Sequence, residues 1–173
     1  MTTGNTNDLV VGRGLPGYAL RVLILVTGAA MVLVPMTEDV TLGTLVLLVP
    51  AVIASAYAPA SPAPGGAVII VGVLVALADG PALRPEVLVL VPVVHLFHIA
   101  CGLAGVLPAT GRLHPRALTS PALRFLLVQA VVFALVVVAA LVPTGRAVVV
   151  FEVAALAGVA VLAVLVVWLQ RVK

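Results

Sequence analysis

The chain has 173 residues, of which 64% are hydrophobic and only 9% are charged. A soluble domain carries roughly 25% charged residues, so this composition excludes a water-coated globular surface. The net charge of +3 is no nucleic-acid signal, because the basic residues stand scattered at the ends of apolar runs instead of forming one face.

The opening segment 1–17, MTTGNTNDLVVGRGLPG, is small and polar and predicts a disordered cytoplasmic tail. Long apolar runs follow, separated by short Pro/Gly-rich breaks. About 20 apolar residues cross the roughly 30 Å hydrocarbon layer as a helix. Backbone groups find no water there, which leaves only helices or a closed barrel. Continuous apolarity argues against the barrel, whose strands alternate in and out. The expected fold is therefore an all-α integral membrane protein, a bundle of six transmembrane helices filling 18–170. The spans are 18–36, 40–58, 66–78, 86–107, 122–142 and 147–170, with a cytoplasmic C-terminus at 171–173. The first run is longer than a signal-peptide core and no A-x-A site follows it, so it is expected to be retained. Span 66–78 is the short one, reaching only about 20 Å.

Charge sets the orientation. With six spans and the N-terminus inside, Arg13, Arg21, Arg112, Arg116, Arg124, Arg171 and Lys173 lie on the cytoplasmic side and only Arg84 and Arg146 outside. If the short segment re-enters instead, five of these cations face out, against the positive-inside rule. Both termini are thus expected in the cytoplasm of a bacterial cell, in a multi-pass protein of the plasma membrane. Tyr18, Tyr57 and Trp168 then fall near the cytoplasmic boundary, where amphipathic rings favour the interface. The longest loop, 108–121, carries Arg112, His114 and Arg116. It is either an ordinary positive-inside loop or a docking site for a protein partner or anionic headgroups.

The fourth span holds VPVVHLFHIACGLAG, with two histidines in an apolar run. At 100° per residue His95, His98, Gly102 and Gly105 share one stripe. Glycines on such a stripe let a second helix approach closely, so Gly102 and Gly105 are expected at a helix-packing face that looks into the bundle. Pro92 frees a carbonyl one turn earlier and kinks the helix beside the stripe. Counting along each span puts Gln129 nearly level with His98 and Glu152 within reach of His95. Thr27 falls at a depth similar to His98. An ionised carboxylate in hydrocarbon is expensive unless paired. Arg146 is six residues from Glu152 on one helix, a poor spacing for contact, which favours a histidine partner. His95, His98, Gln129 and Glu152 are thus the candidate intramembrane polar cluster. It serves either as packing glue, each bond worth about 1 kcal/mol, or as a site that carries a proton or holds a polar ligand.

No metal site or cofactor is expected. A closed metal site needs about four ligands, and two histidines three residues apart on one helix cannot grip a haem from both faces. Cys101 is the single cysteine, which excludes an internal disulfide and suits a small space-filling hydrophobe. There is no phosphate-binding glycine loop, nucleophile elbow or HExxH, so no catalytic residues and no enzyme activity are expected. Ala154 and Gly158 match a small-xxx-small pattern that so alanine-rich a chain produces by chance.

The stretches HLFHIACGLAGVLP, RLHPRAL and PALRFLLVQ, between Pro92 and Gln129, resemble a group of small actinobacterial multi-pass membrane proteins of unknown function. That resemblance implies a membrane-bound accessory to a MoxR-type AAA+ ATPase, in a chaperone-like or envelope-assembly system. It assigns no functional residues. The expectation is a non-enzymatic accessory or scaffold that works in the lipid bilayer through a partner and is able to form homo-oligomers. The alternative is a small proton-coupled transporter or permease subunit using the His/Glu cluster.

Overall fold

A computed structural model of the chain describes residues 14–36, 42–78, 81 and 83–141. The chain divides into two compact units, Met1–Phe133 and Ala134–Lys173, the second described only as far as Leu141. The expected span 147–170, with Glu152, Ala154, Gly158 and Trp168, lies outside the described residues, as does Arg146.

Among the described residues the fold is all-helical apart from one minimal strand pair. The elements are β1 (Leu15–Pro16), α1 (Gly17–Met36), α2 (Leu42–Tyr57), α3 (Ala63–Leu77), α4 (Pro85–Val106), β2 (Arg112–Leu113) and α5 (Pro115–Leu141). Valine, abundant in every run, is a poor helix former in water. In hydrocarbon the comparison changes, because only the helix satisfies each backbone group within its own segment. Three helices, α1, α4 and α5, are long and apolar enough to cross a membrane. Their 20, 22 and 27 residues extend about 30, 33 and 40 Å. The other two, α2 and α3, have 16 and 15 residues and extend about 24 and 22 Å.

The first four helices form a closed ring: α1 packs on α2, α2 on α3, α3 on α4, and α4 returns to α1 through the most extensive contact of the fold. Each helix turns one stripe inward. On α1 it is Leu20, Ile24, Thr27, Gly28 and Met31; on α3 it is Pro64, Ala67, Val71 and Leu74. These spacings of three and four follow the helical period. Phe97, Ala100, Cys101 and Ala104 of α4 complete the core with Leu48 and Val52 of α2. At the crossing of α1 and α2 the packing is tight, since a Cβ on Gly28 would collide with Val52 Cγ1.

Helix ends differ from the sequence expectation in two places. The third helix starts at Ala63, not at residue 66, because Ser61 Oγ accepts the Ala63 N–H at 3.3 Å and the prolines of the first turn lack only N–H groups a helix start leaves unused. The fifth starts at Pro115, not at residue 122. His114 caps it: its Nδ1 accepts the Arg116 N–H at 3.2 Å and its carbonyl accepts the Ala117 N–H at 2.8 Å. The helix then runs on through Pro121, whose ring marks a break in sequence but costs a single backbone bond here. Leu15 and Pro16, within the segment expected to be a free tail, pair antiparallel with Leu113 and Arg112.

Candidate functional site

The polar groups of the spans are placed helix by helix. Thr27 Oγ1 donates back to Leu23 O at 2.7 Å, and Ser55 Oγ donates to Ala51 O at 2.6 Å. Such bonding within a helix lets a hydroxyl sit in apolar surroundings with no outside partner. Among the described residues Thr27 bonds only within its own helix.

The two histidines of α4 turn to different neighbours. His95 faces α5, where Gln129 Nε2 lies 2.8 Å from its Nδ1 and the Phe125 ring lies 5.1 Å away, tilted by 44°. An amide nitrogen only donates, so His95 Nδ1 accepts and the ring proton sits on Nε2. Gln129 is the one buried residue of α5, at 7% exposure. Its Oε1 is buried and has no hydrogen-bond partner among the described residues. The counted depths set Gln129 level with His98; the structure joins it to His95, one turn away. The count began from residue 122, seven residues inside the true start of α5.

His98 is exposed and makes no hydrogen bond among the described residues. It borders an open hollow of about 620 Å³ between α4 and the start of α3, shared with Cys101, Gly102, Gly65, Gly66 and Ile69. Gly102 does not carry a helix contact: a Cβ there would meet nothing within 4 Å among the described residues. Gly105 lies against Ala60 at an ordinary 3.5 Å. The close helix approach belongs to Gly28, and the signal that would have found it is its place on the Leu20–Ile24–Met31 stripe. Glu152, the fourth member of the expected cluster, lies outside the described residues. Among the described residues no group of three potential metal ligands occurs.

Charged groups gather at helix ends. Arg21 on α1 donates to Ala56 O and, at 2.9 Å, to Tyr57 O, the last carbonyls of α2. Arg84 stands at the start of α4 and reaches Ala78 O and Val75 O, both at 3.3 Å, at the end of α3. Each guanidinium thus satisfies orphan carbonyls at the negative end of a helix dipole. At the Arg21 end, the loop expected over 108–121 shortens to 108–114, because α5 begins at Pro115, and what remains is built rather than loose. Besides the strand pair, Gly17 N–H donates to Gly111 O at 2.7 Å and Gly111 N–H to Pro108 O at 2.9 Å. A side chain on Gly17 would strike Pro108 O. Arg112, His114 and Arg116 remain exposed around this loop, and Arg124 is exposed nine residues along α5. The sole acid among the described residues is Glu86, in the first turn of α4 at the opposite end.

The His95–Gln129 bond is open to direct measurement. In a double-mutant cycle with His95→Phe and Gln129→Leu, the expected coupling is about 0.6 kcal/mol, typical of hydrogen bonds between membrane helices. Unfolding in mixed detergent micelles reads it, and a coupling of zero would remove the bond as a tie between α4 and α5.

Comparison with family models, with curated proteins and with solved structures finds no match to this chain.

Proposed function

We propose that the chain is a six-span plasma-membrane protein, both termini in the bacterial cytoplasm, and that it acts without catalysis as an accessory or scaffold subunit. Its partner docks on the 108–114 connection and the first turn of α5. The observation that carries this reading is the pinned loop, which holds Arg112, His114 and Arg116 outward on a frame of strand pair, glycine contacts and helix cap. A surface ordered in advance loses less entropy on binding than a floppy loop, and an ordinary topology loop needs no such frame. The charge layout supports the orientation, with Arg21, Arg112 and Arg116 at one end and Arg84 beside Glu86 at the other among the described residues.

Co-purification from native membranes tests the proposal. A stoichiometric partner is expected with the wild-type chain, and it is lost from an Arg112→Ser/Arg116→Ser variant of unchanged membrane abundance. Absence of any partner, or retention by the variant, overturns the docking assignment. Labelling of Thr3→Cys and Val172→Cys in a Cys101→Ala background checks the orientation, since both sites should react only after the inner face is opened.

A proton-coupled carrier is the second reading, favoured by the hydrogen-bonding capacity left at Gln129 Oε1. It expects His98→Gln or Glu152→Gln to abolish pH-dependent flux at normal abundance. The scaffold reading expects loss of function to follow loss of protein when His95, His98 or Glu152 is replaced.

A further inference from the structure

The fifth helix has two unlike faces. Leu118, Pro121, Phe125 and Gln129, spaced by three and four, form its less exposed side, and Phe125 and Gln129 of that stripe meet His95 of α4. On the other side Arg116, Ser120 and Arg124 follow one another at intervals of four, all exposed. Leu123, Leu127 and Val131, exposed as well, continue that side farther along. All six fall within about 100° of one another on the helical wheel. Depth follows from length. The 27 residues of α5 extend about 40 Å, about 10 Å more than the hydrocarbon layer. The stretch 122–141 is apolar apart from Arg124 and Gln129 and fills about 30 Å by itself. The surplus is the polar opening PRALTSP, which sets Arg116 and Ser120 at the level of the headgroups. Arg124 starts just inside the core. Its side chain leans toward the helix start and carries the charge back past Ser120.

None of these three polar side chains has a hydrogen bond or ion pair among the described residues. A guanidinium at the edge of hydrocarbon calls for an anion. Among the described residues the one acid, Glu86, lies in the first turn of α4 at the opposite end. In the six-span arrangement Asp8 alone of the chain's acids falls on the cytoplasmic side, against the seven cations named for it. An acidic protein segment would answer the arginines and leave Leu123, Leu127 and Val131 unmatched. A phospholipid answers both, with phosphate at one level and hydrocarbon at the next. A zwitterionic headgroup would set its own cation against the two arginines, whereas an anionic one supplies only the missing charge. We propose that the outward face of α5 binds one anionic phospholipid, its phosphate held by Arg116, Ser120 and Arg124 and an acyl chain lying along Leu123, Leu127 and Val131. The proposal rests on the reading that α5 crosses the bilayer and is independent of the protein partner. Arg116 borders both surfaces, so Arg124 carries the test.

The full-length chain, recovered from membranes, is placed in nanodiscs of equal parts dioleoylphosphatidylglycerol and dioleoylphosphatidylcholine. Native mass spectrometry then identifies the lipid that stays bound after transfer to detergent. One phosphatidylglycerol per chain is expected, favoured over phosphatidylcholine by about tenfold or more, since each basic residue near an anionic headgroup is worth about fivefold. Arg124→Gln should lower that preference about fivefold. Arg112→Gln removes the same charge from the partner surface and should leave the lipid preference as it was. Excess glycerol 3-phosphate, the headgroup chemistry without acyl chains, should not displace the lipid. Equal retention of the two lipids by the wild type, a preference unchanged in Arg124→Gln, or one lowered as far in Arg112→Gln overturns the proposal. So does displacement by glycerol 3-phosphate, or a dimer of the chain that carries no lipid. A chain absent from the membrane fraction would instead overturn the spanning reading, and the lipid site with it.

Discussion

Gly28→Ala is expected to lower stability by about 1–3 kcal/mol, the usual cost of forcing an extra group into a packed core. The added methyl meets Val52 Cγ1, with Val52 Cγ2 and Cβ close behind at 3.1 and 3.2 Å. Gly28 on α1 and Val52 on α2, at 5% exposure, are both buried at this crossing, so the Val52 side chain has little room to yield. Packing is the main force between helices in lipid, and a forced separation also weakens the contacts above and below. Val52→Ala in the same chain should restore a large part of the loss, because it removes the two atoms nearest the new methyl. Thermal unfolding in detergent, read by circular dichroism, measures both variants. An unchanged midpoint for Gly28→Ala would mean that α1 and α2 do not cross at this point.

The second large effect is expected at Arg84. This residue is 8% exposed and joins the end of α3 to the start of α4. Its guanidinium holds Ala78 O and Val75 O, while its own carbonyl accepts the N–H groups of Val87 and Leu88 at 3.1 and 3.2 Å. Arg84→Met keeps the length of the side chain and removes the fork. Hydrogen bonds to a charged donor contribute about 1.5–3 kcal/mol each. Water at the helix end can replace part of this, so a net loss of about 1–3 kcal/mol is expected. Arg84→Lys should recover less than half of it, since an ammonium is a single point of charge where the arginine spans two carbonyls. Arg21→Met should cost less than Arg84→Met, because Arg21 is only half-buried and the carbonyls it leaves face water sooner. Unfolding midpoints of the three variants should rank accordingly; equal midpoints for Arg84→Met and wild type would deny the arginine its part in the α3–α4 turn.

The apolar runs were legible as helices because their physics is local: once water is excluded, backbone bonding leaves little choice. The starts of α1 and α4 lie within a residue of expectation, at Gly17 and Pro85. What sequence could not show was chemistry between distant residues. Pro121 looked like a boundary, and only the His114 cap explains why α5 begins a full seven residues earlier. The stripe from His95 to Gly105 is expected to look into the bundle, whereas among the described residues the buried face of α4 is Leu90, Phe97, Ala100, Cys101 and Ala104, and His98, Gly102 and Gly105 are exposed. His95 meets Gln129, His98 meets the hollow, and Gly102 meets open space. Gly28 does not stand out in a sequence with 15 glycines, and only the Val52 side chain of α2 gives this one its meaning.

The pairing of Leu15–Pro16 with Arg112–Leu113 joins two points nearly a hundred residues apart in the chain. Closing so long a loop is entropically uphill until the intervening helices already hold the ends together. The clasp therefore forms late, once α1 through α4 have packed on one another. Arg112, His114 and Arg116 acquire their fixed setting only at that moment. The surface therefore belongs to the finished fold alone, so the same small clasp that orders the loop also times its appearance.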